Sequence, residues 1–145
     1  MLIDSLCRSI QDRIDSSVEQ AALNKKWHDE YVRDHGKPYT PEWSPFMDQT
    51  EPIPQVVALQ VKEKFGTLRF YFGGGDDEIY GMVSVAEQMS GSICEDCGTF
   101  SPEVGYTEGW IQVVCPACLV SSEHPERPWT QTKSSKQAAK AMKSK

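Results

Sequence analysis

The apolar positions at the start of the chain recur in a helical rhythm. Leu2, Leu6, Ile10, Ile14 and Val18 fall every four residues, with Ile3 and Cys7 beside them and Asp, Gln, Arg and Ser opposite. This predicts an amphipathic helix over residues 2–22 whose seam winds slowly around its axis, because four residues overstep the 3.6-residue turn. Leu23, Trp27 and Tyr31 continue on one face over residues 24–35, either in the same helix or in a second one broken at Asn24. Gly36 and Pro38 then stop the helix. Residues 37–55 carry five prolines and the aromatics Tyr39, Trp43 and Phe46. They read as a loop whose rings pack on the core, with a docking surface as the alternative.

The rhythm changes to two at residue 56. Val57, Leu59 and Val61 alternate with Val56, Ala58, Gln60 and Lys62; after Lys64-Phe65-Gly66, Leu68, Phe70 and Phe72 alternate with Thr67, Arg69 and Tyr71. Two alternating runs about a short glycine-containing connection predict a β-hairpin over residues 56–72. Phe65 is expected to fold back over it, and Lys62, Lys64 and Arg69 to cluster on its outer face. Gly73-Gly74-Gly75 makes a turn, and Asp76 or Asp77 caps a helix over residues 78–90 that buries Ile79, Met82, Val83 and Ala86 and ends at Gly91. No Lys-Ser/Thr follows the glycines, and the next residues are acidic, which argues against a phosphate-binding loop.

The chemistry concentrates further on. Cys94-Glu95-Asp96-Cys97-Gly98 and Cys115-Pro116-Ala117-Cys118 are two Cys-x-x-Cys pairs separated by seventeen residues. Two tight turns, each aiming two sulfurs at one point, complete a tetrahedron, and the spacing predicts a four-thiolate zinc ribbon. Gly98 suits a turn that needs positive φ, and residues 107–114 supply a strand leading into the second pair. Four thiolates leave no open coordination position, so the expected Zn²⁺ is structural. Without an export signal at the N-terminus, paired spacing favours metal over disulfides and a cytoplasmic setting. Cys7, beside Leu6 and Ile10, is expected to be a buried, inert thiol.

Other chemistries fit less well. His28-Asp29-Glu30 with Cys115 and Cys118 loosely matches a zinc deaminase pattern, but the proline lies inside the cysteine pair and Cys94 and Cys97 would go unused. Asp76, Asp77 and Glu78 are grouped as a Mg²⁺-dependent nuclease would need, yet Glu63 and Lys64 are adjacent and miss its usual spacing. No run of apolar residues is long enough to cross a bilayer.

Charge separates the chain. Residues 1–118 hold nine Lys and Arg against nineteen Asp and Glu, a formal −10, whereas residues 119–145 hold six against two, a formal +4. The folded part repels phosphate backbones on average, so nucleic-acid binding would require the basic tail or the Lys62, Lys64 and Arg69 cluster. Residues 119–145 are read as a polar, mobile tail.

Val61-Lys62-Glu63-Lys64-Phe65-Gly66-Thr67-Leu68-Arg69-Phe70-Tyr71, then Ala86-Glu87 with Ser90, then Cys94-Glu95-Asp96-Cys97-Gly98, then Gly109-Trp110-Ile111 before Cys115 and Cys118, together resemble a family of small, functionally uncharacterised proteins of tailed bacteriophages. The resemblance spans residues 56–118. Relatives often carry a Gly-Trp segment before the hairpin; here Pro41-Glu42-Trp43-Ser44 stands there without the glycine. The resemblance implies phage origin and a zinc ribbon, and it carries over no catalytic residue.

The expected architecture is therefore α+β: a helical and hairpin core over residues 1–91, a zinc ribbon over 92–118 and a basic tail over 119–145. The expected function is a non-enzymatic accessory protein that binds a host or defence-system protein, with Lys62, Lys64, Arg69, Tyr71, Trp43 and Trp110 as candidate partner-binding residues. A nucleic-acid-associated ribbon and a metal-dependent nuclease are the alternatives.

Overall fold

The computed structural model describes residues 2–38 and 49–131 and is an α+β fold. A single helix, α1 (Leu2–His35), runs without a break through Asn24. Its buried residues are Leu6, Ile10, Ile14, Ser17, Ala21 and Asn24. From Ile10 onward they follow alternating steps of four and three, which keeps them on one side. The strict four-residue seam does not persist: each such step turns the face by about 40°, and Val18 ends exposed. Gly36, at φ +69°, closes the helix by donating to Val32 O at 2.8 Å.

Ser17 and Asn24 explain why the buried stripe turns polar. Ser17 Oγ donates to Ile14 O at 2.6 Å and accepts from Ile53 N at 3.0 Å, while Asn24 Nδ2 donates to Gln49 O at 3.0 Å. The two side chains thus fasten residues 49–53 along the helix and seat Ile53 in the core. Ser17→Ala is expected to lower stability by about 1–3 kcal/mol, because the buried Ile53 N–H loses its acceptor. Urea unfolding of the two proteins measures this.

Strands β1 (Val57–Glu63) and β2 (Leu68–Gly73) form the antiparallel hairpin, with an irregularity between Ala58 and Gln60 that leaves Leu59 unpaired. Leu68, Phe70 and Phe72 turn inward onto α1 and α2 (Asp77–Ser90). Asp76 caps α2, accepting from Ile79 N at 3.0 Å, and its other carboxylate oxygen receives Arg13 Nη2 from α1 at 2.9 Å. Arg13 Nε also meets Glu78 at 2.9 Å. Ile79 is fully buried at the centre of a cluster with Leu6, Ile10, Ile14, Leu68, Phe70, Val83 and Ala86.

The second half is a three-stranded antiparallel sheet in the order β4-β3-β5, from β3 (Gly105–Thr107), β4 (Val113–Val114) and β5 (Trp129–Gln131), with helix α3 (Pro116–Ser121) between β4 and β5. Its own core gathers Val104, Val113 and Val114 with Cys94 and Cys115, and Trp129 packs against them. Two expectations from the sequence do not hold. Residues 107–114 are not one strand, since a turn separates β3 from β4. Residues 119–131, read as tail, carry the end of α3 and all of β5; the indole Nε1 of Trp129 donates to Val114 O at 3.2 Å. The lysines beyond Gln131 lie outside the described residues, as do Trp43 and the rest of the aromatic loop.

The halves meet at the hairpin turn. Gly66, at φ +75°, lies so close to the second sheet that a side chain there would sit 2.8 Å from Val113 Cγ2 and 3.0 Å from Ile111 Cγ2. A glycine at this position serves both the turn and the contact.

Candidate metal centre

The first cysteine turn is built by the backbone. Cys94 N donates to Thr99 O and Gly98 N to Cys94 O, both at 2.9 Å, and Gly98 takes φ +72°. The second turn is a helix start: Cys115 caps α3, its sulfur 3.5 Å from Cys118 N, and Pro116 occupies the first turn, where no intrahelical N–H bond is lost. Glu95 ties the two together. Its N–H donates to Val113 O at 2.8 Å, and its carboxylate accepts from Val113 N at 2.9 Å, two residues before Cys115.

This construction brings Cys94, Cys97, Cys115 and Cys118 together with all four sulfurs within 4.8 Å of one another. Cys97 Sγ and Cys115 Sγ are 3.8 Å apart. That is the edge of a tetrahedron whose metal–sulfur bonds are about 2.3 Å, and it is far longer than a disulfide bond of about 2.05 Å. The donor set therefore fits one tetrahedral, thiophilic metal ion. Among the described residues it is the one group of three or more Cys, His, Asp or Glu side chains placed to share an ion. His28 lies on α1, apart from the group, and Asp76 and Glu78 are engaged by Arg13.

The sulfurs are not equivalent as acids. Hydrogen bonds from the Thr99 hydroxyl, 3.2 Å away, and from the Thr99 backbone lower Cys97 to about 6, whereas neighbouring sulfurs, Cys97 foremost, push Cys118 up. A metal ion displaces the protons that the sulfurs otherwise share. Acidification therefore competes with the metal: retention is expected to fall as the pH is lowered, with more than one proton taken up per ion released. A chelating indicator dye followed through a pH titration measures both. Glu95 is pushed up by burial, against which the Val113 N–H acts, with Glu63 and Asp96 adding repulsion.

The other predicted residues divide. Lys62 and Arg69 are cross-strand partners on the hairpin's outer face, beside Tyr71, whose ring centre lies 5.5 Å from Lys62 Nζ. Lys64 stands in the turn, 5.5 Å from the Phe65 ring centre. Phe65 does not fold back; it is 72% exposed, and its φ of +55° aims it outward. Trp110 is 78% exposed in the turn between β3 and β4. Cys7, expected to be buried, is exposed, because it sits on the α1 face next to the buried stripe. Sequence reasoning missed Trp129; its signal was a large aromatic ring in an otherwise polar stretch. No helix among the described residues is long and apolar enough to cross a membrane. No family model, curated protein or solved structure matches the chain.

Proposed function

We propose that this chain is an accessory protein made during phage infection, that the metal is a structural zinc ion, and that the protein acts by binding a host or defence-system protein, without catalysis. The four-sulfur site supports the structural, non-catalytic part of this reading, and the phage part rests on the resemblance of residues 56–118. Tetrahedral thiolate sites suit zinc, and with four protein ligands the ion has no position for water or substrate. Among the described residues, Asp76, Asp77 and Glu78 form no group placed to share an ion; Asp76 caps α2, and Asp76 and Glu78 both meet Arg13. What remains for function is surface, with Phe65, Tyr71, Trp110 and Leu59 exposed on the hairpin and ribbon.

The test is affinity capture with the zinc-loaded full chain from phage-infected cells. The reading expects one host protein to be retained, and retained again by direct binding of purified components. Salt-sensitive binding to single- or double-stranded DNA, lost on deleting residues 133–145, would instead favour a nucleic-acid role. The deletion has to start beyond Gln131 because β5 is part of the ribbon sheet.

A further inference from the structure

The two edges of the hairpin are treated differently. On β2, the outward N–H groups of Leu68 and Phe70 donate to Ser90 Oγ at 2.8 Å and Glu87 Oε1 at 2.9 Å, so α2 side chains occupy that edge. On β1, all seven residues are exposed. Among the described residues, no hydrogen bond reaches the β1 backbone from outside the hairpin. An open edge of this length is a template for another strand. Val57, Leu59 and Val61 stand along it, Leu59 pushed out by the irregularity and 71% exposed.

Charge states what the edge lacks. Lys62 and Arg69 are directly opposed across the hairpin, and like charges in that position weaken strand pairing. Neither forms an ion pair among the described residues. Each is held by neutral acceptors instead, Lys62 Nζ by Gln60 Oε1 at 2.7 Å and Arg69 Nη1 by Leu68 O at 2.8 Å. Lys64 adds a third cation in the turn. This surplus lies on a chain whose formal net charge is −6. A carboxylate arriving from outside would relieve it.

We propose that the open edge and outer face of β1 bind an extended segment of a partner protein by strand addition, with an acidic side chain of that segment over Lys62 and Arg69. The inference rests on the protein-binding reading above and names its surface. A polypeptide satisfies both the N–H and the C=O groups of an edge, whereas a nucleic-acid phosphate satisfies only donors. A second copy of β1 fits poorly, since it brings Lys62 and Lys64 again with Glu63 as its sole carboxylate.

The experiment places a photo-crosslinking residue at position 59 of the zinc-loaded full chain, uses it for the capture, and maps the crosslinked peptide by mass spectrometry. That segment is then synthesised and titrated against the wild type and against Lys62→Glu/Arg69→Glu, with zinc content and circular dichroism confirming that the double variant is folded. The expected result is a crosslink to one acidic segment, binding weakened about tenfold or more by the charge reversal, and recovery when the peptide's acidic residue is changed to lysine. Capture of a host protein with no crosslink from position 59, or with affinity unchanged in the double variant, overturns this inference and leaves the protein-binding reading standing. A crosslink to a second copy, or displacement of the captured protein by oligothymidylate, also overturns it. Capture of nothing overturns both readings.

Discussion

Replacing Cys115 with serine is expected to abolish stoichiometric metal binding and to unfold the second half of the protein while the first half stays folded. Cys115 serves both the metal site and the core. It is buried, it supplies a sulfur, and it belongs to the small cluster around Val104, Val113 and Val114; serine keeps the α3 cap but neither the metal ligand nor the apolar packing. Those three valines and Trp129 are too little to hold a three-stranded sheet of such short strands unaided. Structural zinc sites contribute on the order of 10 kcal/mol to the folding of small metal-dependent units. Hydrogen exchange reads the outcome: amide protection at Val104, Val113 and Thr107 should disappear in Cys115→Ser, and protection within α1 and α2 should persist. Chelation of the wild type should give the same pattern.

The converse substitution lies in the other core. Ile79→Ala is expected to lower the stability of the helix and hairpin half by about 2–5 kcal/mol, the cost of emptying a buried isoleucine site. Ile79 has no exposed surface and is packed against residues from α1, β2 and α2, and the turn at Gly75 also approaches it. The variant should still bind one metal ion, because none of the four metal-site cysteines belongs to that cluster. Thermal unfolding with parallel metal analysis separates the effects. Loss of metal from Ile79→Ala would show that the contact of Gly66 with Ile111 and Val113 couples the halves into one cooperative unit.

What was legible in the sequence had a local cause. The paired cysteines name their own geometry; alternation marked the hairpin, and Gly36 and the pair Asp76 and Asp77 marked helix ends, of which the structure makes Asp76 the cap. The misreadings came from contacts made at a distance. Asn24 looks like a helix breaker, because its amide competes locally for backbone partners, but here that amide reaches Gln49 and fastens a loop. Ser17 likewise looks like surface until Ile53 is placed against it. Trp129 is thirty-five residues from Cys94 in a polar stretch, and only the antiparallel pairing of Thr107 with Trp129 brings it into the ribbon core. Alternation also could not tell that β1 overhangs the body, since a strand covered on one face and a strand covered on neither share the same pattern.

Metal analysis of the purified full chain, followed by cobalt substitution, tests the four-sulfur site. One zinc ion per chain is expected, and on exchange to Co²⁺ an absorption spectrum with strong sulfur-to-metal charge transfer and tetrahedral ligand-field bands, both lost in Cys115→Ser. Substoichiometric metal with the four cysteines joined as disulfides, or a cobalt spectrum of six-coordinate oxygen ligation, would contradict it.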